Sequence, residues 1–250
     1  MSASTLVLAP HPDDESLGCG LLLATHPEPH GIHIVFVTDG AGQGPDRALQ
    51  TSRREAEARA AAAAYGVSDG QLHFLKLPDG KLSRYTREFT HRLRSLVDRL
   101  QPAIVHVPFR FDRHPDHLAV NRVACALHDA GELKARVLEY FVYTRSRLVP
   151  GGDLRALVDP ALLTRIPPDR NAVEVRRRAL QCHASQVATG RPVLSRMLLD
   201  RLDQETECHL AYDARAKGSK VLVRARSWVP VAVRVEPVLK SLSDRLRGRR

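Results

Sequence analysis

Short apolar runs alternate with longer helical patterns through the first 143 residues of the chain. Runs such as Thr5–Ala9 and Ile32–Thr38 end at polar clusters, which is typical of buried strands. Arg47–Tyr65 is rich in Ala, Arg and Glu and is followed by Gly66, a common helix stop. Regular alternation of strands and helices predicts a mostly parallel sheet with helices on both faces. The predicted strands are Thr5–Ala9, Ile32–Thr38, Leu72–Leu77, Ala103–Val107 and Val137–Tyr143, and the predicted helices are Ser16–Thr25 (with Ser16 as N-cap), Arg47–Tyr65, Tyr85–Leu100 and Pro115–Ala130.

The pattern changes after Gly151-Gly152, where longer helical stretches replace the alternation. We therefore expect an α/β fold, a Rossmann-like three-layer domain with a mostly parallel sheet and a small C-terminal addition. In such a fold, ligands bind beyond the carboxyl ends of the strands. The later predicted elements are the helices Asn171–Val187 and Pro192–Tyr212, the strands Val221–Arg226 and Val231–Val235, and the helix Glu236–Arg249.

Composition excludes several classes of protein. The chain has 250 residues, of which 43% are hydrophobic and 26% charged, as in ordinary globular proteins. It has no uncharged apolar run of roughly 18 residues, and its first ten residues lack the basic flank of a secretory signal. The cysteines are dispersed, which favours reduced thiols and a cytoplasmic location. They are Cys19, Cys125, Cys182 and Cys208.

Most of the net charge of +10 lies in the last 36 residues, which hold eleven Lys or Arg against Glu236 and Asp244. We therefore predict a domain over residues 1–214 and a basic extension over residues 215–250, packed on that domain or trailing from it. The extension is either a solvated cationic face or a surface that docks on anionic lipid headgroups at the inner face of a membrane. Nucleic-acid binding is disfavoured, because Trp228 is the extension's one aromatic residue.

Two polar motifs follow predicted strands and carry residues suited to chemistry. Ala9–Glu15 (APHPDDE) directly follows the first strand, and Arg113–His117 (RHPDH) follows the loop after the fourth. Imidazole and carboxylate are suitable ligands for zinc or a similar divalent ion. In the second motif, the two histidines are one helical turn apart if a helix begins at Pro115, a favourable first position for proline.

Each motif alone has a simpler interpretation, as a helix-capping turn or a hydrogen-bonded surface histidine. Together they are expected at one edge of a parallel sheet, where two His and one Asp make a three-ligand site with an open position for water. A carboxylate left outside the ligand set could act as a base. Spacing leaves open which of Asp13 and Asp14 binds the ion.

The two motifs resemble those of the LmbE/PIG-L family of zinc-dependent deacetylases, which remove acetyl groups from N-acetylglucosamine-type amino sugars. Weaker similarities extend the resemblance over about residues 5 to 187. They are Thr38-Asp39-Gly40, Arg54–Glu57 with Tyr65-Gly66-Val67 (Tyr65 replaces the usual Leu), Leu77–Gly80 and His183–Gln186.

The resemblance implies a role for each motif residue. Zn²⁺, or another divalent ion such as Fe²⁺, would be bound, and metal-activated water would attack the acetyl group. The implied ligands are His11, Asp14 and His117, the general base is Asp13, the residue that stabilises the tetrahedral intermediate or protonates the amine is His114, and the residue that orients an imidazole is Asp116.

Substrate contacts are predicted for Arg54, Asp79 and Arg113. Arg54 could instead form a surface pair with Glu57, and Asp79 could simply belong to a turn. Glu15 is expected to cap a helix or support the site, and Cys19 to be a buried small side chain.

The predicted function is deacetylation of an N-acetylated amino sugar, either a small molecule or a glycolipid. One alternative is a related zinc amidase acting on a thiol–sugar conjugate. Another is a non-catalytic protein that binds a sugar, an anionic lipid or a nucleic acid. Asp13 and His114 argue against a mere binder, because zinc ligation in the proposed scheme does not need them.

Overall fold

The computed structural model describes residues 4–42, 44–143, 153–187 and 196–212. The chain divides into two compact units. The first is formed by the described residues up to Tyr143 and from Thr164 to Tyr212, and the described part of the second is residues 153–163. The predicted boundary after residue 214 stays a prediction. The predicted elements after Tyr212, the basic extension and Trp228 lie outside the described residues.

A seven-stranded sheet forms the centre of the first unit, in the order β3-β2-β1-β4-β5-β7-β6. The pairs β1/β2, β2/β3, β1/β4 and β4/β5 are parallel, and β7 runs antiparallel to β5. The strands are β1 Thr5–Ala9, β2 Ile32–Thr38, β3 Leu72–Leu77, β4 Ile104–Pro108, β5 Arg136–Tyr140, β6 Leu163–Ile166 and β7 Glu207–Ala211. The helices are α1 Asp14–Thr25, α2 Arg47–Ala64, α3 Thr86–Leu100, α4 Pro115–Asp129, α5 Arg170–Cys182, α6 Ala184–Val187 and α7 Arg196–Leu202.

Both faces of the sheet are covered, which makes the predicted three-layer α/β fold correct. Along β1, Leu6 and Leu8 join the core that contains α3 and α4, while Val7 and Ala9 join the core that contains α1, α2 and α5. Burial on both faces explains why the strands read as continuous apolar runs.

β1 and β4 lie side by side at the centre of the sheet. The chain leaves β1 toward β2 on one side and leaves β4 toward β5 on the other. This reversal leaves a crevice beyond the carboxyl ends of the two strands, where ligands of such folds bind. Both polar motifs therefore lie at the expected edge.

Three predictions about elements are wrong. In the described part of the predicted helix Pro192–Tyr212, residues 196–212, the structure has α7 and the strand β7. Strand β6 had no counterpart in the sequence pattern. The predicted helix Asn171–Val187 is interrupted at His183, which separates α5 from α6. Helix α1 begins at Asp14 rather than at Ser16, because Asp13 holds the N-cap position.

Candidate metal centre and active site

The loop from β1 to α1 carries the first motif in a constrained conformation. Asp13 has a backbone φ of 135°, a region that side chains rarely adopt. Glu15, which is fully buried, accepts the Asp13 backbone N–H at 2.9 Å through Oε2. Its Oε1 accepts the Ser16 hydroxyl at 2.7 Å and lies 2.9 Å from Nε2 of His183. Glu15 and His183 thus hold Asp13 in its unusual conformation.

Two histidine side chains, one from each motif, converge on one carboxylate oxygen. Oδ2 of Asp14 lies 3.0 Å from Nδ1 of His11 and 3.1 Å from Nε2 of His117. The other nitrogen of each ring contacts a further carboxylate. Nε2 of His11 lies 3.2 Å from Oδ2 of Asp116, and Nδ1 of His117 lies 3.2 Å from Oδ2 of Asp112. Each imidazole is therefore held between an inner and an outer carboxylate.

This arrangement fits a divalent ion. If each ring donates its N–H to the outer carboxylate, its inner nitrogen presents a lone pair toward Asp14, as a metal ligand does. Zn–N bonds of 2.0–2.1 Å in tetrahedral geometry place ligand atoms roughly 3.3 Å apart, close to the spacing observed here. Among the described residues, Nε2 of His117 is buried without a hydrogen-bond partner, since its approach to Asp14 lacks hydrogen-bond geometry. A bound cation would satisfy that atom.

The pKa values of the two histidines also indicate a cation site. Burial lowers the pKa of His117, but the charge of Asp14 and the contact with Asp112 outweigh it and raise the pKa to about 9. Burial also opposes the charge on His11, yet contacts with Asp116, Asp14 and Asp79 raise its pKa well above the ordinary value. Such a surplus of carboxylates attracts protons when no metal is bound, and a divalent ion would replace those protons.

Asp13 is a buried carboxyl beside the ligand cluster. Its Oδ2 lies 3.4 Å from Nη2 of Arg54. Burial raises the pKa of Asp13 to about 6, with Arg54 opposing the shift and Asp14 adding to it. A carboxyl with a pKa near the working pH is suited to accept and return a proton.

His114 lies beside His11 and His117, and its ring centroid is 4.6 Å and 5.0 Å from theirs. It is the N-cap of α4, and its Nδ1 accepts the Asp116 backbone N–H at 3.2 Å. That bond leaves Nε2 as the protonated nitrogen of the neutral ring. Burial, together with the neighbouring histidines, lowers the pKa of His114, so the neutral form is favoured.

The structure brings two of the three predicted substrate contacts to the cluster. Arg54 is buried, donates to the Pro12 carbonyl, and has Nε and Nη1 without a partner among the described residues. Asp79 has Oδ1 3.2 Å from Nε2 of His11 and accepts the Gly42 backbone N–H at 3.0 Å. Arg113 is exposed, and its guanidinium lies 4.5 Å from the ring centroid of Tyr143. Their roles toward a substrate stay predictions.

The surface pair considered for Arg54 and Glu57 does not form. Glu57 instead accepts the backbone N–H of Ser185 at 2.8 Å and its hydroxyl at 2.6 Å, which joins α2 to α6. Arg54 is thereby left to face Asp13 and Pro12.

Sequence reasoning missed Asp112 as a member of the site and did not pair Glu15 with His183. Asp112 is buried in the loop after β4, and its Oδ1 also accepts the His114 backbone N–H at 2.8 Å. The available signal was an acidic residue five positions before a candidate histidine ligand. Glu15 and His183 are 168 positions apart, so no spacing rule could have joined them.

Gln43 and residues 144–152 lie outside the described part of the chain. None of the helices in the described part is both long and apolar enough to span a membrane.

The fold and the histidine–carboxylate cluster together define an α/β protein with a candidate metal centre at the carboxyl edge of its sheet. Residues 6–128, which contain both motifs, match the family model PIG-L, GlcNAc-PI de-N-acetylase. The part of the chain that carries both motifs thus matches the PIG-L family, as the resemblance of those motifs implied. No match was found among curated proteins.

Solved structures with the same fold include proteins of different function. A conserved protein from Thermus thermophilus is 26% identical, with a TM-score of 0.59 over 84% of this chain and 94% of that one. An N,N'-diacetylchitobiose deacetylase from Pyrococcus horikoshii, complexed with its inhibitor, is 18% identical, with a TM-score of 0.62 over 84% of each chain. A 4-carboxy-2-hydroxymuconate hydratase from Pseudomonas putida is 19% identical, with a TM-score of 0.56 over 80% of this chain and 83% of that one. The fold by itself therefore does not determine the reaction.

Proposed function

We propose that the protein is a metal-dependent N-deacetylase that removes the acetyl group from an N-acetylated amino sugar. The observation that carries the proposal is the pair of imidazoles held against Asp14 by outer carboxylates, with Asp13 and His114 beside them. The PIG-L family match supports the deacetylase class and an N-acetylglucosamine-type substrate.

His11, Asp14 and His117 would hold the ion, and Zn²⁺ suits a set of two imidazoles and one carboxylate. When bound, such an ion polarises a carbonyl and lowers the pKa of water. Asp116 and Asp112 orient the two imidazoles from outside, through the contacts of 3.2 Å described above.

Asp13 would take the proton from the attacking water. Burial raises the pKa of its carboxyl to about 6, close to the working pH. Its strained backbone, which Glu15 fixes, sets the position of the side chain. The water oxygen bonds to the acetyl carbon, the C–N bond breaks, and the nitrogen leaves as an amine after gaining a proton. The products are acetate and the free amino sugar.

His114 would donate through Nε2, since Nδ1 already accepts the Asp116 N–H. A neutral imidazole can stabilise the developing oxyanion by a hydrogen bond. Because the neutral ring holds only one proton, the proton for the leaving amine would come back from Asp13, which took it from the water. Nε and Nη1 of Arg54, which have no partner among the described residues, would donate to sugar hydroxyls close to Asp13.

Amine release from a panel of N-acetylglucosamine conjugates, with and without a chelator, tests the proposal. We expect chelator-sensitive release, reduced about 10²–10⁴-fold in Asp13→Asn and in His114→Gln with bound metal unchanged. Asp46→Asn and His91→Gln, which alter exposed residues, should keep full activity.

Stoichiometric metal without amine release from any conjugate would contradict the amino-sugar substrate. A thiol–sugar conjugate belongs in the same panel as the alternative amide. The hydratase fold relative makes 4-carboxy-2-hydroxymuconate a useful further probe, because its turnover would indicate a different reaction class.

A further inference from the structure

A second group of metal-binding side chains lies in the core of the first unit, apart from the cluster at the sheet edge. Cys19 on α1, His106 on β4 and His209 on β7 each offer one ligand atom, and these atoms all lie within 4.8 Å of one another. All three residues are buried, with at most 3% of their surface exposed. Cys19 follows Asp14 by five positions on the same helix.

A buried carboxylate fixes the orientation of one of these imidazoles. Glu207 lies with Oε1 2.8 Å from Nε2 of His209. It also accepts the backbone N–H groups of Leu21 at 2.6 Å and Leu22 at 3.0 Å. Since an ionised carboxylate only accepts hydrogen bonds, Nε2 of His209 is the protonated nitrogen and Nδ1 bears the lone pair. A carboxylate behind an imidazole in this way is the usual support of a metal ligand.

The lone pair on Nδ1 of His209 faces His106, a second possible ligand, rather than a backbone donor. Its Nδ1 lies 3.0 Å from Nδ1 of His106, with the two rings at 84° to each other. Without a metal, a single proton must lie between these two nitrogens. With a metal, both nitrogens would turn lone pairs toward the ion.

Helix α1 is distorted at the residue that offers sulfur. Cys19 has φ −129° and ψ 17°, outside the helical range, within an otherwise continuous helix. The N–H groups that follow the kink are the ones that Glu207 binds, so the kink coincides with a side chain inserted into the helical hydrogen-bond ladder. Glu207 thereby links the support of His209 to the position of Cys19.

We propose that Cys19, His106 and His209 form a second, structural metal site for a zinc-type divalent ion. One thiolate and two imidazoles are suited to such an ion. Burial raises the pKa of the Cys19 thiol and lowers that of His106, so both are neutral before binding. Binding releases the thiol proton as the S–H bond is replaced by a metal–sulfur bond. The proton between the two Nδ1 atoms moves to Nε2 of His106.

Such a site would join α1 to two strands on either side of β5. It shares no residue with the cluster of His11, Asp14 and His117, and it does not depend on the proposed reaction. Its readout can also be separated from that cluster, because only this site contains sulfur.

Cobalt replacement gives a direct test. The full chain would be produced in cells grown with Co²⁺ in place of zinc, so that the ion enters during folding. We expect about two cobalt ions per chain, together with the near-ultraviolet charge-transfer band that only a thiolate–cobalt bond produces. The edge cluster, with nitrogen and oxygen ligands alone, cannot give this band.

Variants show which residues give rise to the charge-transfer band. Cys19→Ala and His209→Gln should each lose it along with one cobalt ion, whereas Cys125→Ala, a buried cysteine on α4, should keep both ions. His117→Gln should lose the other ion and retain the band. Circular dichroism checks that each variant folds. The wild-type spectrum tests for a thiolate–cobalt bond independently of the variants.

A wild-type protein with no more than one cobalt ion and no charge-transfer band would overturn the proposal. A band that survives in Cys19→Ala and disappears in Cys125→Ala would overturn it as well. Amine release is measured separately, so failure of this proposal and failure of the deacetylase proposal are distinguishable.

Discussion

At the scale of single residues, the outer carboxylates determine what the two histidine ligands can do. Asp112 and Asp116 each lie against one nitrogen of a ring, and the opposite nitrogen of that ring faces Asp14. Removing such a partner leaves the ligand set intact but lets the ring rotate or change tautomer.

Asp112→Asn should therefore lower metal affinity about 10–100-fold without removing a ligand. An amide at this position can donate as well as accept, so it no longer fixes which nitrogen of His117 is protonated. Competition with a chromophoric chelator measures the change, and exposed Asp46→Asn is the matched control. Unchanged affinity in Asp112→Asn would show that the contact with His117 does not support the site.

A second residue-scale prediction concerns pH. His73 stacks on His33 at the β2–β3 edge, with Nε2 3.2 Å from Nδ1 of His33. Burial lowers the pKa of His73 to about 4, with the charges of His33 and Arg99 acting in the same direction. In the unfolded chain the pKa is about 6.5, so between these values the unfolded state binds more protons. The contribution of His73 to stability is thus lost as the pH falls from 6.5 to 4.

Urea unfolding at pH 7 and pH 5 checks this sign. His73→Gln should show a smaller drop in stability between the two pH values than the wild type. His91→Gln, a change at an exposed histidine of α3, should leave the drop unchanged. An equal or larger drop in His73→Gln would contradict the assignment.

The sequence brought six residues of the site into view because their types and spacings are unusual. His11, Asp13 and Asp14 stand together directly after β1. His114, Asp116 and His117 stand together after the loop that follows β4. The signal at Asp112 is much weaker, since one acidic residue five positions before a histidine in a polar loop is common. Its role exists only because the turn into α4 brings it back to His117.

At the scale of elements, helix α1 lies unusually close to the sheet. A Cβ built on Gly18 would overlap the ring of Tyr140, whose hydroxyl donates to the Leu8 carbonyl at 2.8 Å. The ring is fully buried and held by this bond, so it has little freedom to move away. Glycine at position 18 therefore sets the distance between α1 and β5.

Gly18→Ala should destabilise the protein by about 1–3 kcal/mol, because added volume in a packed core forces neighbouring groups to shift. Gly70→Ala is the matched control, since a Cβ there meets no heavy atom within 4 Å. Chemical unfolding measures both. If Gly18→Ala were as stable as Gly70→Ala, the close approach of helix and sheet would not constrain this position.

Strand β7, which the sequence patterns missed, has polar residues in the core. β7 was predicted as part of a helix because Glu207 and His209 do not read as strand interior. In the structure both are buried, since each finds a partner in a distant element: Glu207 in α1 and His209 in β4. A pattern of hydrophobic positions cannot predict the burial of polar side chains, because that burial depends on hydrogen bonds to distant residues. The parallel strands β1 to β4, buried among apolar neighbours, were correctly predicted for the opposite reason.

At the scale of the whole molecule, metal binding is expected to stabilise the fold. The ligands come from segments separated by about 100 residues, so the unfolded chain cannot present them together. At a free metal concentration 1,000 times the Kd, one site adds about 4 kcal/mol to the free energy of unfolding.

Thermal unfolding with excess metal and with excess chelator tests this expectation. The melting temperature should fall when the metal is removed, and the fall should be smaller in His117→Gln, which lacks a ligand of the edge cluster. A wild-type melting temperature that does not respond to the chelator would contradict metal binding by the folded state.

The pairing of β1 with β4 has a consequence for folding kinetics. Val7 and His106 are partners in this pair, although they are about 100 positions apart, which makes the contact highly non-local. Local units such as β1-α1-β2 can form before this pairing, but the edge cluster cannot, because its ligands lie in the segments that follow both strands. The capacity to capture a metal ion should therefore develop late in refolding, after most of the helical signal has been recovered.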